Sequence, residues 1–297
     1  MPRLRDIMKV LSFFTILFFM LQCLYPPLLW ACTLWAAAGS KVKGEGTLIA
    51  KNRDWRPNCK QVLKLITPDK GFRYYGLFEE GNEESGIKMG INEHGLVVIS
   101  ARAIISKKER QSMSRTQGVN RLLLTSCATI EDALKRTDIF EGARFLLMAD
   151  KKEIALAEIG ITGGCVIDKT DNGVLYHTNH FVEPGLMVYS PDRFTGTRID
   201  RYIGSVERYE QIHELMHDKN RFEMRDFIEI SQSQNGGPDR SIWRKGTTSQ
   251  SIRTLSSWIV YQPRGGKPVL YIRIADPGED IKERLISLPE IFKREKR

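Results

Sequence analysis

The sequence has no pair of cysteines spaced CxxC, no internal repeat, no low-complexity linker and no basic stripe interleaved with aromatic residues. The first absence excludes a zinc ribbon. The second and third leave a single folded unit as the expectation, and the fourth argues against nucleic acid as a partner. Charge is missing too over one stretch, since nothing between Lys9 and Lys41 carries any. What is present is ordinary: 297 residues, 41% hydrophobic, 27% charged and 9% aromatic. That composition rules out a disordered, collagen-like or polytopic membrane chain, and the length suits one domain.

The uncharged stretch begins with an almost wholly apolar run over residues 10–30, behind a basic start carrying Arg3, Arg5 and Lys9. This is the pattern of a targeting segment. The run is long enough to cross a bilayer, but Pro26 and Pro27 interrupt its second half. The expectation is therefore an export leader over 1–31 and one domain over 32–297, located outside the cytoplasm: extracellular, periplasmic or membrane-associated. The alternative is an uncleaved signal anchor, with membrane association through the leader. Losing the leader removes three basic side chains and one acidic one, taking the net charge from +9 to +7. So mild a surplus reads as a solvated surface or a weak attraction to anionic lipid. In an oxidising compartment one bridge among Cys59, Cys127 and Cys165 is conceivable; buried free thiols are the other reading.

Strand-like runs dominate the first two-thirds. Residues 32–39 and 47–55 flank a glycine turn and read as a β-hairpin; further strands are expected over 62–67, 86–100 with a turn at Asn92-Glu-His-Gly95, 143–149, 153–159 and 173–181. Thr129 with Asp132 marks a capped helix to about Arg136. Residues 198–217 carry a core-facing stripe of Ile199, Ile203, Val206, Tyr209, Ile212 and Met216. Asn220 with Glu223 predicts a helix from 220 to about 236, and strands return over 255–262 and 269–274. The basic stretch 106–115 is expected as an exposed loop.

Cys32 stands where the leader ends and the first strand begins. Cutting the Ala31–Cys32 bond would put an α-amine, of ordinary pKa about 8, on the same residue as a thiol of about 8.5, so the amine can take the thiol proton without a histidine. Two other readings stay open. Leu29-Trp30-Ala31-Cys32 partly fits a lipoprotein signal, although Trp30 sits where a small residue belongs, which would make this a lipidated, non-enzymatic binding protein. A plain structural cysteine is the other.

Several short runs now bear on that choice: Cys32-Thr-Leu-Trp35, Lys51-Asn-Arg-Asp-Trp55, Gly90-Ile-Asn-Glu-His-Gly-Leu96, Tyr176-His-Thr-Asn-His-Phe181, Thr197-Arg-Ile-Asp-Arg201 and Thr254-Leu-Ser-Ser257. In that order they resemble the N-terminal-nucleophile hydrolases related to choloylglycine hydrolase, penicillin V acylase and the acyl-coenzyme A:6-aminopenicillanic acid acyltransferases, the last branch being most similar. The resemblance implies an α+β domain of the four-layer αββα type. It implies Cys32 as nucleophile, Asp54, 22 residues further on, as holder of the α-amine, and Asn179 as oxyanion-hole donor. Lys51, Arg53 and Arg198 are the substrate-binding candidates; for Arg198, buttressing the site and lying on the surface of a helix are the two readings. The choloylglycine hydrolases carry arginine where this chain has Lys51, which weakens a bile-salt reading. The implied partner is a small-molecule amide with a linear, non-peptide C–N bond, hydrolysed in preference to acyl transfer to an amine acceptor. No metal or organic cofactor is implied, and a homo-oligomer is compatible with it.

One motif competes. His213-Glu-Leu-Met-His217 is a literal HExxH, which would set two imidazoles on one helix face for zinc with Glu214 as general base. The flanking charges, the early helix end and the lack of an HxxGxxH extension count against a zinc protease. His177 and His180 are expected on opposite faces of a strand. Phe72, Tyr74, Tyr75 and Phe78 either line an acyl pocket or pack in the core.

Overall fold

The computed structural model describes residues 31–83, 86–114, 116–186 and 197–293. The expected leader therefore lies outside the described residues except for Ala31. Among the described residues thirteen strands run β1 (Ala31–Ala38), β2 (Gly46–Trp55), β3 (Gln61–Ile66), β4 (Tyr74–Glu79), β5 (Met89–Asn92), β6 (Val97–Arg102), β7 (Arg144–Ala149), β8 (Ile154–Ile159), β9 (Cys165–Thr170), β10 (Gly173–His177), β11 (Arg253–Pro263), β12 (Val269–Ile274) and β13 (Lys282–Ser287). They form a six-stranded sheet, β10-β1-β2-β11-β12-β13, and a seven-stranded sheet, β3-β4-β5-β6-β7-β8-β9. Every pairing within the two sheets is antiparallel.

Strand β1 explains how the layers stack. Leu34, Ala36 and Ala38 face a core shared with Phe145, Leu147 and Trp258, which lies between the sheets. Trp35 and Ala37 point the other way and pack with Ile212, Met216, Phe227 and Ile230 of the helices Thr197–His217 and Met224–Ser231. A strand buried on both faces shows no polar alternation, so it reads as one apolar run. On the far side, Leu123, Leu124, Ile130 and Ala133 of the helices Val119–Ser126 and Ile130–Leu134 cover Val98, Leu146, Met148 and Ala157. The order is helix, sheet, sheet, helix. Each fully buried Leu, Ile or Phe in these cores stabilises by roughly 1.5–3 kcal/mol.

The β5–β6 turn shows why its sequence is so particular. Asn92 Oδ1 accepts from the backbone N–H of His94 and Leu96 at 3.1 and 3.0 Å, while its amide donates to the carbonyls of Leu124 and Cys127. One side chain thus closes the turn and ties it to the helix layer. Gly95 follows at φ +97, a left-handed conformation that favours glycine.

Several local expectations are corrected. Residues 107–112 are a helix, not loop: Ser106 Oγ accepts from Glu109 N and Glu109 Oε2 from Ser106 N, a complete capping box. The helix expected from Asn220 starts at Met224, with Glu223 and Asp226 forming the box, and ends at Ser231. The strand expected over 173–181 stops at His177, because the chain turns there to present Asn179. In the long helix, Ile199 and Ile203 are exposed, and Ser205 and Arg208 are buried in their stead. The four aromatics divide: Tyr74 and Phe78 join the helix-side core, Tyr75 faces Trp258 between the sheets at 6.3 Å, and Phe72 packs at a tilt against His94. They pack and do not form one pocket. Cys32, Cys59, Cys127 and Cys165 are all free thiols, with Cys127 buried.

Candidate active site

Cys32 lies at the start of β1, paired directly with Arg53 of β2, with Ala31 beside Asp54. Its side chain packs against the inter-sheet core. Its backbone nitrogen donates to Asn179 Oδ1 at 2.8 Å across 147 residues of sequence. Arg208 Nη2 donates to the same oxygen at 3.0 Å. Two donors converging on one atom fix the orientation of the Asn179 amide. Its Nδ2 donates to the Arg102 carbonyl at 2.9 Å, which uses one of its two hydrogens.

The backbone around Asn179 is held just as firmly. Asn179 N donates to Ser205 Oγ at 2.8 Å, and Ile104 N donates to Asn179 O. Thr178 Oγ1 donates to the Ser205 carbonyl, and His180 Nδ1 bonds Ser205 Oγ. Ser205 is thus the pin that connects this loop to the long helix.

Asp54 is fully buried on the helix face of β2. Thr254 Oγ1 donates to its Oδ1 at 2.7 Å, and Arg244 Nη1 stands 3.8 Å from its Oδ2. Burial pushes the Asp54 carboxyl up, opposed by Arg244, Arg208 and the Thr254 bond. Oδ2 accepts no hydrogen bond among the described residues. On this side a cavity of ≈ 270 Å³ is lined by Ala31, Arg201, Arg208, Arg240 and Arg244, among others.

Lys51 and Arg53 leave the opposite face of β2, toward the second sheet. Each is only 3% exposed. Lys51 Nζ donates to the Lys88 carbonyl at 2.9 Å, and burial pushes its ammonium down to about 8, opposed by the nearby Cys32 and reinforced by Arg53. Arg53 Nη2 pairs with Glu79 Oε2 at 3.1 Å, and the guanidinium lies over the Trp55 ring. Neither cation reaches for Asp54.

The family model for acyl-coenzyme A:6-aminopenicillanic acid acyl-transferase matches residues 42–277. The chain belongs to that family. A mutant of the conjugated bile acid hydrolase from Clostridium perfringens is similar in structure, with a TM-score of 0.52 at 12% identity over 87% of this chain and 93% of that one. The Caenorhabditis elegans ortholog of N-acylethanolamine-hydrolyzing acid amidase gives 0.50 at 14% identity over 79% and 94%. No curated protein matches in sequence. The αββα N-terminal-nucleophile fold is shared, and the chain is an enzyme of the amide-hydrolase or acyl-transferase class. The family match begins ten residues after Cys32.

Within this acyl-transferase family member, the structure brings Cys32 and Asn179 into contact, sets Asp54 beside Ala31, and places Lys51 and Arg53 on the Cys32 face. Arg198 is different: it does not line the cavity beside Ala31, whereas Arg201 does. Two residues were not anticipated. Arg208 is 2% exposed and Arg244 5%, and both face Asp54. Arg208 had a sequence signal, a charge in step with Ile212 and Met216 on the buried face of the helix. Arg244 sits in an irregular segment with no periodicity to betray it.

The His213 and His217 rings stack with centroids 4.3 Å apart on the exposed side of the helix, His213 Nδ1 bonds the Tyr176 hydroxyl, and His217 Nδ1 bonds the His213 carbonyl. No third His, Cys, Asp or Glu joins them among the described residues.

His180 supplies a pH prediction. Burial, with His177 and Arg208 nearby, pushes its imidazole down to about 4. An unfolded histidine titrates near 6.5, so between about 6.5 and 4 the unfolded chain takes a proton that the folded one refuses, and stability falls as pH falls through that window. The melting temperature of the protein is expected to decline over that range, and less steeply in His180→Gln. An identical slope in the variant would show that His180 does not carry the effect.

Proposed function

We propose that this protein is exported, that its leader is removed ahead of Cys32, and that the mature enzyme is a cysteine N-terminal-nucleophile amidohydrolase. It cleaves a linear, non-peptide C–N amide of a small molecule. The α-amine of Cys32 takes the thiol proton, and Sγ bonds to the acyl carbon. The C–N bond then breaks as the α-ammonium returns that proton to the leaving nitrogen. Water completes hydrolysis of the thioester; an amine in its place would complete a transfer. The remaining Asn179 Nδ2 hydrogen faces the developing oxyanion, a contribution whose loss typically costs about 3–4 kcal/mol.

The observation that carries this reading is the bonding of the Cys32 backbone nitrogen. Any buried strand N–H needs an acceptor, but here that acceptor is held by the buried Arg208, and the buried Asp54 on the neighbouring strand keeps a spare acceptor. An α-ammonium uses both acceptors, since it brings added hydrogens for the open Asp54 Oδ2 while keeping the bond to Asn179 Oδ1.

Amino-terminal sequencing of the secreted protein is expected to begin at Cys32 with an unblocked amine. A different first residue, a retained leader, or a lipid-modified Cys32 by intact mass would overturn the proposal. With the mature protein in hand, acylated lactones, penicillin V and acyl-amino acids, offered with and without amine acceptors, separate hydrolysis from transfer.

A further inference from the structure

Two imidazoles of the long helix take no part in the amide chemistry. His213 and His217 each follow a buried residue, Ile212 and Met216, so they border the apolar stripe that packs on the helix face of β1 and β10. One turn apart, they fall on the same side of the helix, and their rings stack with centroids 4.3 Å apart and planes 29° from parallel. Their hydrogen bonds decide which ring nitrogens are open. The His213 carbonyl can only accept, so His217 Nδ1 carries the proton of their 2.8 Å bond and Nε2 keeps a lone pair. His213 Nδ1 bonds the Tyr176 hydroxyl. Burial pushes that phenol up to about 12, with the charge and the hydrogen bond of Tyr209 adding to the rise, while the same bond works against burial at Tyr209 and lowers it. The Tyr176 O–H is therefore the donor to Tyr209, and its oxygen is the acceptor left for His213. His213 Nδ1 thus carries a proton as well, and its Nε2 also keeps a lone pair.

An imidazole that donates through Nδ1 to a fixed oxygen presents Nε2 as a metal ligand does, with its tautomer and ring orientation already set. The surrounding charge suits a cation. Glu210, Glu214 and Asp218 are exposed on the same stretch, and the neighbouring Lys219 is taken by Asp226. The helix ends at His217, so the carbonyl end of its dipole adds to the negative field. We infer that His213 and His217 bind one nitrogen-seeking divalent cation, of the zinc and copper(II) class, through their Nε2 atoms, with water completing its coordination and Tyr176 orienting His213 from β10. Two protein ligands fall short of the three or four of a catalytic or structural zinc centre, and Glu214 leaves the helix about 100° around from His213. The site is therefore a clamp on the last turn of the helix, not a protease centre. The same helix carries Ser205 and Arg208, the residues that hold Asn179.

Calorimetric titration of the purified protein with zinc chloride is expected to show one ion per chain, and magnesium chloride, whose ion prefers oxygen ligands, no binding. Zinc at a hundredfold excess over its Kd should raise the melting temperature by roughly 5–10 °C. His213→Gln and His217→Gln, both at exposed positions, are each expected to lose at least ~10-fold in zinc affinity together with most of that rise. Tyr176→Phe keeps the ring but removes the oxygen that holds the His213 tautomer, and should weaken binding by about 10–100-fold. Free thiols are the competing zinc ligands, so Cys32→Ala is the control, expected to bind as the wild type does. Absence of zinc binding, wild-type affinity in either histidine variant, or an ion lost in Cys32→Ala overturns the inference. Unchanged affinity in Tyr176→Phe overturns the tautomer assignment that makes Nε2 the ligand. None of these readouts uses amide turnover, so the clamp stands or falls apart from the cysteine mechanism.

Discussion

Cys32→Ala is expected to abolish amide turnover, lowering kcat by roughly 10⁴-fold or more, because the step that forms the acyl-enzyme has no other atom to use. The fold should be almost indifferent. Cys32 is half-buried at a strand end, and trimming its sulfur should cost about 1 kcal/mol, which for a chain of this size moves the melting temperature by about 2–4 °C. The variant also separates two routes of maturation. If a signal peptidase cuts before residue 32, Cys32→Ala protein is still processed and merely inert. If the thiol cuts its own chain, the variant keeps its leader. Undiminished hydrolysis by a processed, folded Cys32→Ala protein would reject the cysteine mechanism.

The parts of this architecture that are legible in sequence are those made by neighbours. The hairpin carrying Cys32 and Asp54 spans a few turns of chain, and its glycine turn and apolar arms announce it. The Asn92–Leu96 turn is equally local. Asn179 is legible only through its resemblance to a known strand, because its partners Cys32, Arg102 and Ser205 are remote and no spacing rule connects them. Three strands, β4, β9 and β13, have no counterpart among the strand-like runs of the sequence; the aromatics of β4 read as pocket or core, and the other two are silent for a different reason. Both are sheet edges, mostly exposed, with Leu285 two-thirds in solvent, so neither shows the apolar period that marks a half-buried strand. The segment 106–112 carried a complete Ser-x-x-Glu signature, but its charges suggested loop; the capping hydrogen bonds decide otherwise. In the long helix the apolar stripe faces the core only at its far end. Its near end covers the candidate site, where Ser205 and Arg208 replace hydrophobic residues because Asn179 and Asp54 need partners.

Asp54→Asn and Asp54→Ala should part company, and the contrast tests what the carboxylate is for. Asparagine keeps the shape and the oxygen that accepts from Thr254, so the variant is expected to fold. It loses the charge beside the α-amine. An opposite charge favours the ammonium form, so its removal lowers the amine pKa, and the acid limb of kcat/KM should move to lower pH. A fall in kcat of roughly 10²–10⁴-fold should accompany the shift, since the amine that carries the proton is no longer held. Alanine does more. It leaves the Arg208 and Arg244 guanidiniums buried beside a void with no anion, and removing one partner of a buried pair costs about 3–5 kcal/mol. At about 2–4 °C per kcal/mol the melting temperature should drop by roughly 10 °C. If Asp54→Asn kept wild-type kcat and an unmoved pH profile while Asp54→Ala unfolded, Asp54 would be a packing anion for two arginines, with no part in positioning the amine.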